Sequence, residues 1–179
     1  MRVVSGKWRG RKLVAPEGQA TRPTADRVRE ALFSMLQSRI GSFEGLRIAD
    51  IFAGSGALGL EALSRGAVRC TFVERDRAAI AALRSNIDAL GASADIRAAP
   101  AESIGSAAQP CDVIFMDPPY RSGLAEKAMS RLSELGWISP SCWISIETER
   151  GENVEIPRFS EDIARAIGKA QITLLRPSG

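Results

Sequence analysis

Residues 50–59, Asp-Ile-Phe-Ala-Gly-Ser-Gly-Ala-Leu-Gly, constrain the fold of this chain more than any other stretch. The apolar run from Leu46 to Phe52 is long enough for one buried strand. Three glycines follow, and the pattern from Leu58 onward is that of a helix. Glycine adopts backbone angles that a side chain forbids, and it lets a ligand lie against the main chain. The stretch therefore predicts a strand, a tight glycine turn and a helix, with a ligand site at the turn.

Two classes of cofactor bind at such a turn. Gly54, Gly56 and Gly59 spell the G-x-G-x-x-G fingerprint of dinucleotide-binding proteins, and Glu74 follows Gly54 by twenty residues. Asp50 counts against a dinucleotide, because a carboxylate at the strand end would repel a pyrophosphate and attract an amino group. S-adenosylmethionine carries an amino group and a sulfonium and has no phosphate, so it is the favoured cofactor. A nicotinamide-dependent oxidoreductase is the alternative.

The rest of the chain alternates strands with helical segments. Further strands are predicted at 69–73, 94–98, 111–116, 142–146 and 171–175 and helices at 77–90 and 124–135, while residues 161–167 fit either type. Such alternation is typical of a mostly parallel sheet with helices on both faces. Residues 2–14 predict a β-hairpin, and a helix should follow it to about residue 39. We therefore expect an N-terminal extension at 1–40 and a cofactor-binding catalytic domain at 41–179.

Composition narrows the class of protein. The chain has no histidine, which excludes a Ser-His-Asp triad and leaves little for a metal site, so no metal is expected. Cys70, Cys111 and Cys142 are odd in number and scattered, which indicates reduced thiols and a cytoplasmic protein. No apolar run approaches the ~20 residues of a membrane span. Nothing in the 179 residues demands a dimer, so a monomer is expected.

Positive charge is concentrated at the N-terminus. The first 29 residues hold eight basic residues against two acidic ones, whereas the remainder holds sixteen against nineteen. A basic arm with a tryptophan and glycines among its charges indicates a polyanionic partner such as a nucleic acid. The residues expected to contact phosphates are Arg2, Lys7, Arg9, Arg11, Lys12, Arg22, Arg27 and Arg29.

A second distinctive stretch, Asp117-Pro118-Pro119-Tyr120, follows the strand predicted at 111–116. Its prolines lack N–H donors and fix the backbone, so carbonyl oxygens beside the Asp117 carboxylate form a group of acceptors. Such a group suits an –NH2 substituent, and Tyr120 offers a flat face on which a base can stack. Ligands of parallel sheets bind beyond the carboxyl ends of the strands, where Asp50, Glu74 and Asp117 are all predicted. Glu74 would accept the hydroxyl hydrogens of a ribose.

Together, Phe52-Ala53-Gly54-Ser55-Gly56 and Asp117-Pro118-Pro119-Tyr120 resemble the motifs of AdoMet-dependent amino-methyltransferases. The N-terminal stretches at 2–6, 9–13 and 22–33, the last of which begins Arg-Pro-Thr, are similar to the RsmD family. The resemblance implies a Rossmann-like methyltransferase fold with a seven-stranded sheet. It also implies an enzyme that methylates the exocyclic N2 of one guanine in bacterial small-subunit (16S) ribosomal RNA, with AdoMet as cofactor.

The resemblance also implies roles for particular residues. The catalytic residues would be Asp117, Pro118, Pro119 and Tyr120. The cofactor would be bound by Asp50, Phe52, Ala53, Gly54, Ser55, Gly56, Gly59, Glu74, Arg75, Ala101 and Glu102. Relatives usually carry Asn or Asp near residue 100, where this chain has Pro100-Ala101-Glu102, so adenine contact would fall to the Ala101 backbone or to Glu102. Methylation of adenine N6 in DNA or RNA and a non-catalytic RNA-binding module are the remaining alternatives.

Overall fold

A computed structural model of the chain describes residues 1–16 and 23–179. In these ranges four α-helices, seven strands and one short 3-10 helix (Ala101–Ser103) alternate along the chain. The helices are α1 (Pro23–Ile40), α2 (Ala57–Ser64), α3 (Arg77–Leu90) and α4 (Leu124–Glu134). The strands are β1 (Arg47–Ile51), β2 (Arg69–Glu74), β3 (Ala94–Ala98), β4 (Cys111–Met116), β5 (Ile138–Glu149), β6 (Phe159–Ile167) and β7 (Ala170–Pro177).

The seven strands form one sheet in the order β3-β2-β1-β4-β5-β7-β6. The first five strands of that order are parallel, while β7 runs antiparallel to both β5 and β6. This confirms the predicted mostly parallel, seven-stranded sheet. The strand order reverses between β1 and β4, since β2 and β3 lie on one side of this point and β5 to β7 on the other. In sheets of this kind ligands bind in a crevice beyond the carboxyl ends of the strands at that point.

Each face of the sheet has its own core, because successive side chains of a strand point to opposite faces. On one face Ile48 and Phe115 pack with buried side chains of α1, α2 and α3. On the other face Ile51 and Ile114 pack with α4 and with Trp137. Helices therefore cover both faces, as predicted.

The N-terminal residues differ in part from the sequence prediction. The predicted hairpin is reduced to one antiparallel bridge between Arg2 and Lys12, because residues 5–10 follow bends and turns rather than extended backbone. Val3 and Leu13, close to this bridge, are buried in the same core as α1 and the sheet. The domain boundary predicted at residue 40 stays a prediction, although side chains from both parts share that core.

Strand β5 is longer than predicted at both ends, and one ambiguity is resolved. Strand β5 begins at Ile138 rather than at 142, with an irregular register opposite Cys111 and Val113. Residues 161–167 belong to strand β6, which pairs along its whole length with β7. No helix in the described ranges is both long and apolar enough to cross a membrane.

Candidate active site

A cavity of about 740 Å³ opens at the carboxyl ends of the parallel strands. Ten of the residues predicted for the site line it: Phe52, Gly54, Glu74, Arg75, Ala101, Glu102, Asp117, Pro118, Pro119 and Tyr120. The structure adds lining residues that the motifs did not identify, namely Val73, Asp76, Ala79, Ala99, Leu124 and Glu147. The glycine turn and the Asp-Pro-Pro-Tyr stretch, more than fifty residues apart in sequence, thus face the same space.

The first glycine of the turn faces the cavity. Gly54 has φ +56°, and a Cβ built there would meet nothing within 4 Å. Its N–H donates to Glu74 Oε2 at 2.8 Å. The other oxygen of Glu74 accepts the main-chain N–H groups of Arg75 at 2.8 Å and Asp76 at 2.9 Å. Glu74 therefore joins the end of β2 to the turn after β1, in addition to lining the cavity.

The second and third glycines serve packing. A Cβ on Gly56 would lie 2.3 Å from Leu83 Cδ1, and one on Gly59 would lie 2.4 Å from Phe72 Cε1. These glycines let α2 approach α3 and the sheet closely. Neither of them lines the cavity, and the predicted contacts of Gly56 and Gly59 with a cofactor stay predictions. Ala53 and Ser55, which are buried, also lie outside the lining.

Asp50 lies behind the turn rather than in the cavity. Its side chain is 2% exposed, and its Oδ2 accepts the N–H of Gly59 at 2.8 Å. Burial raises the pKa of this carboxyl well above its usual range, the Gly59 hydrogen bond opposes the rise, and the charges of Asp117 and Glu74 add to it. This corrects the expectation that Asp50 contacts the ligand: the side chain holds the first turn of α2 in place.

Phe52 connects β1 to the glycine turn in an unusual conformation. Its φ is +65°, a left-handed value that costs a non-glycine residue roughly 1–2 kcal/mol. The half-buried ring lines the cavity. Strain of this kind persists where the surroundings fix it, and it is concentrated at functional sites.

Asp117 stands at the end of β4, on the floor of the cavity. The side chain is accessible because the cavity is open, yet protein atoms surround it on its other sides. Loss of hydration chiefly, together with the negative charge of Glu147, raises the pKa of Asp117 to about 7. Within the described ranges no donor is hydrogen-bonded to its carboxylate, so its oxygens are free to accept hydrogens from a ligand.

Tyr120 stands three residues after Asp117 and is 45% exposed, which is high for an aromatic ring. Its hydroxyl donates to Glu147 Oε1 at 3.1 Å. Burial chiefly, and then the charge of Glu147, raises the pKa of the tyrosine. The ring is thus held at the cavity by its hydroxyl, with part of its surface free for stacking.

Glu147 lines the cavity and was not identified from the sequence. It lies near the end of β5 and lines the cavity beside Asp117 and Tyr120. Burial raises its pKa, and the hydrogen bond from Tyr120 opposes that rise. No motif marks this position. The available signal was an acidic residue directly after the strand predicted at 142–146, the same arrangement that marked Asp117.

The basic N-terminal residues fall into three groups. Arg2, Lys7, Arg9, Arg11, Lys12 and Arg27 are exposed. Arg22 lies outside the described residues. Arg29 is 4% exposed and donates to the carbonyl oxygen of Arg2 at 2.7 Å and to Asp26 at 3.1 Å. The predicted phosphate contact of Arg29 is therefore wrong, because its guanidinium is used inside the protein.

Hydrogen bonds attach the N-terminal segment (residues 1–16) to α2 and α3. The buried Glu61 carboxylate accepts the N–H groups of Val4 at 2.7 Å and Ser5 at 3.0 Å. Asn86 accepts the N–H of Val14 at 2.7 Å and donates to the carbonyl oxygens of Val14 and Ser55. Asn86 thereby joins the segment to the glycine turn.

The basic turn at residues 7–12 lies at the far ends of these helices. The Lys7 N–H donates to the carbonyl oxygen of Ser64, the last residue of α2. Arg11 donates to the carbonyl oxygen of Ala89 at 2.8 Å, near the end of α3. Ala79, ten residues earlier on α3, lines the cavity. At 1.5 Å per residue, the basic turn and the cavity are about 15 Å apart along this helix.

A Rossmann-like sheet of this order, with an acidic cavity at its carboxyl edge and an Asp-Pro-Pro-Tyr turn in that cavity, defines a methyltransferase. The family model described as "Conserved hypothetical protein 95" matches residues 1–176, and the chain belongs to this family, the RsmD family.

Relatives with this architecture come from several bacteria. Ribosomal RNA small subunit methyltransferase D of Escherichia coli (strain K12) is 43% identical over 152 residues, which are 83% of this chain and 75% of that protein. The Haemophilus influenzae protein of the same name is 40% identical over 163 residues, 88% of this chain and 83% of that protein. The solved structure of a putative methyltransferase from Escherichia coli superimposes with a TM-score of 0.87 at 38% identity, covering 100% of this chain and 99% of that one.

Proposed function

We infer that this methyltransferase uses S-adenosylmethionine to methylate the exocyclic N2 of a guanine in small-subunit (16S) ribosomal RNA. One observation supports the inference above all: the Asp117 carboxylate, which accepts no hydrogen bond from the described residues, lies in the same cavity as the exposed Tyr120 ring. An amino group on a flat base needs acceptors in the plane and a surface to stack on, and this floor provides both. The names of the curated relatives support ribosomal RNA as the substrate.

The charge of the cavity fits S-adenosylmethionine as the cofactor. Five carboxylates line the cavity (Glu74, Asp76, Glu102, Asp117 and Glu147), against the single guanidinium of Arg75. A ligand with a sulfonium and an amino group is attracted by that excess, whereas a pyrophosphate is repelled. Val73, Ala79 and Ala101 would provide an apolar wall for an adenine, and the Glu74 carboxylate, which also lines the cavity, would accept the hydroxyl hydrogens of the ribose.

The glycine turn itself disfavours a dinucleotide. A phosphate at such a turn is bound by free main-chain N–H groups. Here the N–H of Gly54, the glycine that faces the cavity, donates to Glu74. A carboxylate therefore occupies a donor that a pyrophosphate would need, which supports a methyl donor over a nicotinamide cofactor.

The residues of the floor account for the chemistry. S-adenosylmethionine supplies an electrophilic methyl group when bound. Asp117 and the carbonyl oxygen of Pro118 accept the two N–H hydrogens of the guanine N2, and Tyr120 holds the plane of the base. Orientation of this kind contributes as much as roughly 7–11 kcal/mol to lowering a barrier. Asp117 stabilises the positive charge that develops on the attacked nitrogen and accepts its proton.

The exposed basic residues of the N-terminal segment are proposed to bind RNA phosphates. The target base must leave its stack to enter the cavity, which costs a few kcal/mol, and phosphate contacts offset that cost. An RNA that reaches both the basic turn and the cavity spans about 15 Å of protein surface. Action on ribosomal RNA implies a cytoplasmic enzyme.

Labelled S-adenosylmethionine tests the proposal on unmodified 16S ribosomal RNA, both free and assembled with its proteins. We expect the label in N2-methylguanosine after nucleoside digestion, and mapping of the labelled fragment identifies the target. Asp117→Ala should abolish transfer and leave cofactor affinity, measured by calorimetry, largely intact. Label in N6-methyladenosine would overturn the substrate, and no label despite cofactor binding would overturn ribosomal RNA methylation.

A further inference from the structure

Asp117 and Glu147 form a pair of neighbouring carboxylates. Strands β4 and β5 are parallel, with Met116 opposite Ile146. The next residues are Asp117, directly after the end of β4, and Glu147 on β5, and neighbouring strands lie about 4.8 Å apart. Both side chains line the cavity. The sheet register therefore places two carboxylates side by side, directly next to the tyrosine on which a base would stack.

The pair lacks the positively charged partners that neighbouring carboxylates normally have. No Lys or Arg of the described ranges forms an ion pair with Asp117 or Glu147, although six other ion pairs are present. Among the described residues, a single hydrogen bond is donated to the two carboxylates, from the Tyr120 hydroxyl to Glu147 Oε1. Glu147 Oε2 and both oxygens of Asp117 are left as acceptors. Because an ionised carboxylate only accepts, the pair suits a ligand that presents two adjacent donors.

Among the amino-bearing bases of RNA, guanine alone has a donor next to its amino group. Its N2 amine adjoins the N1–H. The N6 amine of adenine and the N4 amine of cytosine instead adjoin ring nitrogens that carry a lone pair. A carboxylate opposite such a nitrogen would face a second acceptor and gain no hydrogen bond.

We propose that Glu147 accepts the N1–H of the target guanine while Asp117 accepts from its N2 amine, so that Glu147 is the residue that selects guanine over adenine. The assignment rests on the proposed guanine-N2 activity and adds the means of base selection to it. The Tyr120 hydroxyl, bound to the other oxygen of Glu147, would set the orientation of the carboxylate relative to the stacked base.

The test replaces the target guanine by 2-aminopurine in a synthetic RNA fragment containing the mapped site. 2-Aminopurine keeps the amino group, lacks O6 and has an unprotonated N1, so it removes the donor that Glu147 is proposed to read; because O6 is absent for the wild type and every variant alike, the change in preference between them reports on N1. The wild type should prefer guanine in kcat/KM by about ten- to a hundred-fold, the range for losing a hydrogen bond to a charged group. In Glu147→Gln the amide can donate to that nitrogen, so the preference should fall to within a few-fold of unity.

Three matched variants define the outcome. Glu147→Asp keeps a carboxylate and should keep most of the preference. Glu149→Gln changes an acid on the same strand that pairs with Arg121 and does not line the cavity, and it should behave as wild type. Tyr120→Phe should lower the rate on both bases and weaken the preference for guanine, because it removes the hydroxyl that orients the Glu147 carboxylate. Thermal unfolding and cofactor binding of each variant verify that it is folded.

The failure of this inference is distinct from the failure of the proposed function. If the wild type does not methylate guanine N2 in any RNA, the function is wrong and Glu147 has no such role. If it does, an unchanged guanine preference in Glu147→Gln overturns the inference alone. Equal loss of activity on both bases overturns it too, since it would reduce Glu147 to a support for Tyr120.

Discussion

Replacing Glu61 by alanine should release the N-terminal segment from α2. This carboxylate is 1% exposed and accepts from Val4 N, Ser5 N and Arg65 Nε at 2.7, 3.0 and 2.9 Å. Each main-chain donor left without a partner costs about 1–3 kcal/mol, and breaking a buried ion pair costs about 3–5 kcal/mol. The contributions overlap, and Val4 and Ser5 are only half-buried, so we expect a total loss of about 3–5 kcal/mol.

The assay is thermal unfolding combined with hydrogen exchange. A chain of this length loses about 2–4 °C in Tm per kcal/mol, so Glu61→Ala should unfold about 6–20 °C lower. The amides of Val4 and Ser5 should exchange faster, because their acceptor is gone. Glu30→Ala changes an exposed residue of α1 that forms no hydrogen bond or ion pair through its side chain with the described residues; it is the control and should leave Tm nearly unchanged. A Glu61→Ala protein within 2 °C of wild type, taken as about 1 kcal/mol or less, would refute the reasoning.

Three further predictions follow from the site and its supports. Transfer needs Asp117 ionised, so kcat/KM should fall about tenfold per pH unit below its pKa of about 7 and level off above it; a profile flat from pH 5 to 9 would contradict this. Gly56→Ala places a Cβ 2.3 Å from a side-chain methyl of α3, at a residue with φ +82°, and should lower the unfolding free energy by about 2–4 kcal/mol. Gly54→Ala, where only the positive φ is strained, should cost about 1 kcal/mol. Equal Tm values for the two variants would contradict the packing role of Gly56. Arg9→Ala should reduce the slope of log K for RNA binding against log salt concentration by about one. Arg29→Ala should lower Tm and leave that slope unchanged, because the Arg29 side chain is buried. The reverse pattern would show that Arg29 binds phosphate.

The overall architecture was predictable because it depends on local periodicity. The glycine turn and the Asp-Pro-Pro-Tyr stretch were each placed at a strand end, and the sheet brings them to one cavity. Residues 161–167 could not be assigned from their own pattern, because they form a strand only by pairing with β7. The N-terminal hairpin was overestimated since turns, rather than ladder pairing, occupy residues 5–10.

The errors concern residues whose role depends on the side of the backbone they face. Asp50 lies on the same face of β1 as Ile48, toward α2, so its carboxylate reaches the helix rather than the cavity. Arg29 stands four residues before the buried Phe33 on α1, a helical spacing that indicates the inner face. Glu147 was missed because its importance comes from strand register, which joins it to a residue thirty positions earlier.

The attachment of the N-terminal segment has a consequence for how the proposed enzyme would choose one guanine among many. Glu61 and Asn86 fix the segment to the helices that frame the cavity, so the distance of about 15 Å between the basic turn and the base site varies little. A phosphate bound at one end and a base inserted at the other then require an RNA whose backbone covers that distance along one particular path. Every guanine presents the same edge to the carboxylates, but few lie at the right place on a folded RNA. The protein would therefore identify its nucleotide by the three-dimensional course of the strand around it, and only the type of base by direct contact.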